Sequence, residues 1–234
     1  MLLPISELLQ DFNIQPKRIL HVGAHLAEES NDYTEYFRVP VIWIEAQPKL
    51  CQELKQSLDL SLNTVIEACV LDKDDAVMTL NVTSNSQSTS ILNFGTHADT
   101  YPEVVVTELV TVHTKRLDSL LSGKEVPDFI NLDIQGVELK AIMSLGVLID
   151  QVKAIYTEVN KRHVYVGCNL IQDMDAHLKK YGFKRITTRW KRRSGWGDAL
   201  YVNEKIPRRN LIQYIRSNLR LVKFYSPNRM KSLI

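Results

Sequence analysis

The sequence predicts an α/β fold: a mostly parallel sheet with helices on its faces, an antiparallel edge strand, and a basic helix at the C-terminus. Three observations predict it. Short apolar runs alternate with stretches of helical spacing along the 234 residues, the pattern of strands joined by crossover helices. The last two strand-like runs, 183–188 and 199–203, share a hairpin-length link, so the sheet edge is antiparallel. The opening unit, Arg18-Ile-Leu-His-Val-Gly-Ala-His-Leu-Ala-Glu-Glu29, runs a buried strand into a glycine turn and then a helix.

In order, Leu3–Phe12 reads as a short lead-in helix, 18–23 as the first strand, and about 28–37 as a helix turning Tyr33, Tyr36 and Phe37 inward. Val39–Glu45 is the second strand. Pro48 opens the next helix near its first turn, where the missing N–H costs nothing; Leu50, Leu54, Leu58 and Leu62 recur at i+4. Thr64–Leu71 alternates as strand three, Asp72–Asp75 is a turn, and Ala76–Val82 alternates as a hairpin strand. Ser84–Tyr101 reads as a polar loop whose Ser84–Ser90 part contains no core residue. Val104–His113 is β-rich, Lys115–Leu121 a short helix, Pro127–Asp133 a buried strand, Gly136–Leu145 a helix, and Val152–Val159 a strand with Glu158 at its end. Ile171–Tyr181 is a helix closed by Gly182. Phe183–Thr188 and Ala199–Asn203 close the sheet at seven strands, on either side of the Arg189–Gly197 loop.

Bulk composition is that of an ordinary soluble chain, 44% hydrophobic and 24% charged. Residues 1–204 are read as one domain and 205–234 as a separate tail. Three widely spaced cysteines, Cys51, Cys69 and Cys168, form no Cys-x-x-Cys pair. That pattern suits reduced cytosolic thiols and excludes a disulfide frame. No signal-peptide-like or membrane-length apolar run is seen, so a cytoplasmic place is expected.

The strand, glycine turn, helix and acid-ended strand form half of a nucleoside-binding unit. Gly23 lets the backbone pass close to a ligand. Glu45, 22 residues later, can accept hydrogen bonds from two ribose hydroxyls. A dinucleotide would want glycine at the positions held by His25 and Glu28. Glu28 and Glu29 at the helix start would repel a diphosphate. S-adenosylmethionine, with an amino-acid tail and a sulfonium, has no such conflict and is the expected cofactor.

Ligands in such sheets gather at the carboxyl ends of the strands. Those ends are Gly23-Ala24-His25, Glu45-Ala46, Ala68-Cys69, Asp133 and Glu158-Val-Asn160. Asp133 and Glu138, in Asp-Ile-Gln-Gly-Val-Glu, are read as facing the cleft; the other reading has Asp133 capping the helix and Glu138 solvated. Asp133, Glu158 and Asn160 carry the oxygens that Mg²⁺ or Mn²⁺ prefers, or could hydrogen-bond a polyol directly. His163 is a candidate base. His21, inside the first strand, is expected to be buried beside the cofactor and bonded to backbone. Trp196-Gly-Asp198 could bound a sugar-binding pocket or simply pack.

Together these residues resemble the FkbM family of S-adenosylmethionine-dependent methyltransferases. The similar segments are Ile19–His25, Val41–Pro48, Ser86–Leu92, Leu117–Leu120, Phe129–Glu138, Thr157–Val159 and Trp196–Leu200. Asp-x-Gln-Gly-x-Glu is the most specific of them. The resemblance implies a Rossmann-like seven-stranded methyltransferase fold and O-methylation of sugar or polyketide hydroxyls. It implies that Gly23, Ala24 and His25 line the methionine portion, Glu45 holds the ribose, and Ala46 and Cys69 flank adenine. Ser88–Ser90 would close over the site, and Asp133 and Glu158 would face the methyl group. His25 and Ala27 depart from the asparagine and glycine usual in the family.

From Lys205 onward there are eight basic residues and no acid, so this +8 tail sits on a −6 remainder. Leu211, Ile215, Leu219 and Val222 give Pro207–Tyr225 one apolar helical face. Such a helix could dock peripherally on the inner face of a membrane or on an anionic carrier, or pack on its own domain or a second subunit of a homodimer. A further basic cluster lies just upstream (Lys184, Arg185, Arg189, Lys191, Arg192, Arg193). An RNA-ribose 2'-O-methyltransferase would use the tail against phosphates, but would want a catalytic lysine that no strand end supplies. A silent nucleoside-binding module is the remaining class.

Overall fold

The computed structural model describes residues 2–205; the expected tail helix, Pro207–Tyr225, lies outside them. Among the described residues ten strands form two sheets. The larger sheet contains five neighbouring strands, β1 (Ile19–Val22), β2 (Val41–Glu45), β3 (Asn63–Glu67), β7 (Phe129–Leu132) and β8 (Ala154–Asn160), in the spatial order β3-β2-β1-β7-β8. They run parallel, and β10 (Trp196–Asn203) and β9 (Phe183–Trp190) complete the order β3-β2-β1-β7-β8-β10-β9. β10 is antiparallel to both neighbours. This is the expected seven-stranded sheet.

β1, β2, β7 and β8 are buried at every residue, because both faces of a parallel sheet are covered. Leu20, Val22, Ile130, Leu132 and Ile155 face one core with α5 (Leu117–Leu120), α6 (Glu138–Met143) and α7 (Ile171–Lys179). Ile19, Trp43, Phe129, Ala154 and Tyr156 face the other with α1 (Ile5–Asp11), α2 (Ser30–Tyr36) and α3 (Pro48–Ser57). The chain passes from β1 outward to β2 and β3, then returns to place β7 on the other side of β1. The rim between β1 and β7 is therefore the point where strand order reverses, and a crevice opens there.

Several local expectations are corrected. The run 64–71 is two strands: Ala68 donates to the Glu45 carbonyl, and the chain then leaves the large sheet as β4 (Cys69–Val70). β5 (Val77–Thr83) pairs antiparallel with β6 (Val106–Lys115), not with the strand before it; β4, β6 and β5 form the second sheet. α3 stops at Ser57 and buries Cys51 and Leu54, leaving Leu62 exposed, so the i+4 leucine series outlasts the helix. The 84–90 stretch, expected to hold no core residue, buries Ser88 and Ser90, and the 84–101 segment is not all loop, since α4 (His97–Thr100) lies within it with His97 buried.

Candidate active site

At the reversal point lies a cavity of about 550 Å³ lined by Gly23, His25, Glu45, Cys69, Ser88, Asp133 and Glu158, among others. One half is built by the turn after β1. Gly23 has φ +83°, and a Cβ there would meet the Asp133 carbonyl oxygen at 1.9 Å. The immediate reason for glycine is thus the close approach of the β7 backbone. Ala24 is buried beside it. His25 and Ala27 adopt φ +47° and +55°, a left-handed conformation costing about 1–2 kcal/mol per non-glycine residue.

That conformation aims the His25 N–H at Glu45 Oε2, 2.9 Å away, while Glu45 Oε1 accepts the Gln47 N–H at 2.9 Å. Burial pushes the Glu45 pKa up, and the backbone donors oppose the shift. The His25 ring reaches Glu28 Oε1 at 2.6 Å and Ser86 Oγ at 2.7 Å, tying the turn to the loop above it. Beyond Glu45 the wall is apolar, with Ala46, Cys69, Leu80 and Ile91 packed together. His21 is buried at the base, stacked on Trp43 at 5.0 Å and in contact with the Tyr33 hydroxyl and Asn131 amide. Its partners are side chains rather than the expected backbone. Burial lowers its pKa to about 3, so it is neutral.

The other half is acidic. Asp133 follows β7 and opens to the cavity. Poor hydration, then the Asp198 and Glu138 carboxylates, push its pKa up to about 7. Glu158 on β8 is buried on the cavity wall, and its Oε1 has no hydrogen-bond partner among the described residues. Its pKa is driven well up by burial, then by Asp133, Glu138 and Asp198. Asp198 sits opposite Glu158 in the β8–β10 register and accepts from the Tyr156 hydroxyl and, at 2.6 Å, from the Leu2 N–H. Gln135 links the group: its side-chain amide donates to Asp133 Oδ1 at 2.5 Å and approaches Glu158 Oε2 at 3.4 Å. The Gln135 side-chain Oε1 accepts from the Tyr165 hydroxyl at 2.7 Å.

The sequence reading takes Asp198 only as part of a pocket-bounding Trp-Gly-Asp segment, not as a member of the rim acids, and passes over Tyr165 and His97. Asp198 lies near the start of its strand, and only an antiparallel β10 brings a strand's start to the rim where parallel strands end. Tyr165 and His97 lie on connecting segments with no periodicity to mark them. His97 is stacked on Phe94 at 4.3 Å and touches Ser88 Oγ through Nε2 at 3.2 Å. Ser90 Oγ donates to the Gln135 carbonyl at 2.8 Å, so the 84–92 loop rests on both halves.

Other expectations are corrected. Glu138 is not on the cavity wall; its carboxylate accepts the Ile134 and Gly136 N–H groups and braces that turn. His163 is exposed and is not among the residues lining the cavity, with Nδ1 3.1 Å from the Cys168 carbonyl. Asn160 is buried away from the wall. Among the described residues no group of three or more His, Cys, Asp or Glu is placed to hold a metal ion, so the Mg²⁺ or Mn²⁺ site is not supported. Trp196 does line the cavity, and so does Lys191, which the sequence reading had not placed there.

The methyltransferase FkbM domain model matches residues 21–185. The chain belongs to the FkbM methyltransferase family. It is an S-adenosylmethionine-dependent methyltransferase. The match ends before Trp196 and Asp198, which close the acidic half. No curated protein sequence matches the chain. Among solved structures, it is similar to the magnesium protoporphyrin IX methyltransferase of Synechocystis PCC 6803 with bound SAM, at 11% identity and TM-score 0.49, covering 86% of this chain and 76% of that one. It is also similar to TrmK of M. capricolum with bound S-adenosyl-homocysteine (6%, 0.47, 87% and 70%). A third is a putative caffeoyl-CoA O-methyltransferase of Staphylococcus aureus (16%, 0.45, 85% and 80%). Among the described residues no helix is long and apolar enough to cross a membrane.

Proposed function

We propose that this FkbM enzyme methylates a hydroxyl of a sugar or glycan, with Asp133 taking the hydroxyl proton. The observation that carries the reading is the Asp133 carboxyl, open to the cavity beside Glu158 and Asp198 and held by the Gln135 amide, with its pKa raised by burial and by neighbouring carboxylates. A base poised there accepts a proton at neutral pH without being held permanently protonated.

The residues suit the cofactor. Glu45 is fixed by two N–H groups, and each oxygen keeps a second lone pair for a ribose hydroxyl. Ala46, Cys69 and Leu80 offer an apolar slot for adenine; Gly23, Ala24 and His25 would line the methionine portion. The Glu158 oxygen without a hydrogen-bond partner belongs to a crowded acid cluster whose pKa values are driven up, the setting a sulfonium would relieve. When bound, the cofactor supplies an electrophilic methyl group. Asp133 orients the acceptor hydroxyl and takes its proton as the new C–O bond forms, and most of the acceleration comes from this positioning. Gln135 and Tyr165 hold the Asp133 carboxyl in place, while Ser88 and Ser90 keep water out from above. Trp196 and Asp198 offer a ring face and an acceptor to a polyol.

The test is incubation with methyl-labelled S-adenosylmethionine and separated glycan, lipid and RNA fractions. Label in a glycan, stable to mild base as an ether is, supports the reading; label confined to RNA or absent from glycans overturns it. For the +8 tail we retain contact with an anionic membrane surface, checked by vesicle flotation with and without residues 205–234.

A further inference from the structure

Next to the acidic half of the cavity lies a patch of the opposite sign that reaches the cavity wall at Lys191. Between Val159 and Gln172, and again between Ala176 and Gly197, the sequence contains no Asp or Glu. These two stretches meet in space. Lys161 N–H donates to the Gly195 carbonyl at 3.0 Å, and the Arg162 guanidinium donates to the Arg193 carbonyl at 2.6 Å. The contact is shaped for Arg162: a Cβ on Gly195 would meet its Nε at 2.3 Å. Lys161 Nζ lies 4.8 Å from the centre of the Trp190 ring. Lys191, next in the chain, lines the cavity with Trp196, Glu158 and Asp198.

Among the described residues, Lys161, Arg162, Lys191, Arg192 and Arg193 make no ion pair. Arg18, Arg116, Lys115, Lys153 and Arg185, by contrast, each have a carboxylate within 4 Å. Five cations held close together without counter-ions repel one another, and an anion arriving there is drawn in. Arg162 spends one of its five N–H donors on Arg193, which leaves a fork suited to phosphate or carboxylate. The patch also answers a difficulty of the site itself. A negatively charged acceptor entering beside Asp133, Glu158 and Asp198 would be repelled unless its charge stayed outside them.

We infer that the acceptor is an acidic saccharide, whose phosphate or carboxylate is held by Lys191 and Arg162 beside the cavity while its hydroxyl reaches Asp133. This rests on the glycan reading above and narrows it. Arg192 and Arg193, on the same hairpin, strengthen the local field.

The experiment divides a cell glycan extract by anion exchange into neutral and acidic pools and incubates each with full-length enzyme and labelled S-adenosylmethionine. Label in the acidic pool, lost from that pool when phosphatase treatment or carboxyl reduction precedes incubation, is the expected result; the two pretreatments separate phosphate from carboxylate. Label in the neutral pool, or acid-pool label insensitive to both pretreatments, overturns the inference and leaves the glycan reading standing. Label in no glycan defeats that reading, and label in RNA defeats both. In the variant K191Q/R192Q/R193Q, transfer to the acidic pool should fall roughly tenfold or more at low salt, with the calorimetric affinity for S-adenosylmethionine kept. Undiminished transfer would overturn the inference. If the variant loses cofactor binding, the wild-type enzyme decides: kcat/KM on the acidic pool must fall as salt rises, while cofactor affinity stays level.

Discussion

Glu45 and Glu158 are both buried carboxylates at the rim of one sheet, on either side of β1 and β7, and they are held in opposite ways. Glu45 receives a backbone N–H on each oxygen from the turn and from the segment after its strand. Glu158 has only side-chain contacts, from Gln135 at 3.4 Å and from Asn160, and one oxygen without a geometric hydrogen-bond partner among the described residues, beside Asp133 and Asp198. Satisfied acids are cheap to keep charged; an acid among acids raises the free energy of the empty protein. The first arrangement suits recognition, which needs a fixed acceptor. The second suits chemistry, where a carboxyl must change its protonation during the cycle.

The contrast breaks most sharply at Asp133. Asp133→Asn should lower kcat by about 10² to 10⁴-fold, the span of general-base catalysis, with the calorimetric affinity for S-adenosylmethionine nearly unchanged. Turnover within threefold of wild type would show that the acidic half does not hold the base. Glu45→Gln should do the reverse, weakening cofactor binding about 10- to 100-fold, as expected for hydrogen bonds to a charged group. At saturating cofactor its kcat should stay close to normal.

Protonation gives the next effect in size. Asp133 has a folded-state pKa near 7, above an unfolded value of about 3.9. Between those values the folded protein keeps a proton that the unfolded chain has released, so stability falls as pH rises through that window. Glu158 and Asp198 shift in the same direction. The ligand-free enzyme should therefore melt higher at pH 5 than at pH 7.5, and Glu158→Gln should flatten that slope and raise Tm at pH 7.5 by about 2–4 °C. A flat profile in the wild type would mean the acids are well hydrated. The smallest effect is expected at Ala27. Glycine would relieve its left-handed backbone but lose a buried methyl and add unfolded-state entropy, so Ala27→Gly should stay within about 0.5 kcal/mol by denaturant melting.

What the sequence made legible follows the same division. Gly23, Glu45, Asp133 and Glu158 could be placed because each ends or follows an apolar run, and parallel strands bring such ends to one rim. Asp198 was not legible as a rim acid, since its place depends on the direction of β10. His97 and Tyr165 escaped because their burial comes from the 84–101 and 161–170 segments folding onto each other, a long-range packing that leaves no periodic trace. Glu138 and His163 do not line the cavity for a related reason. Residue type suggested chemistry, but the backbone donors of Ile134 and Gly136 claimed the glutamate, and the histidine ring settled on the Cys168 carbonyl.

The missing Cβ at residue 23 has a mechanical result. With the bend after β1 seated directly on the Asp133 carbonyl, the part that grips the donor and the residue that activates the acceptor share one hinge point. Neither can slide by an ångström without displacing the other, so a lesion in the donor-gripping turn should register in turnover as well as in donor affinity.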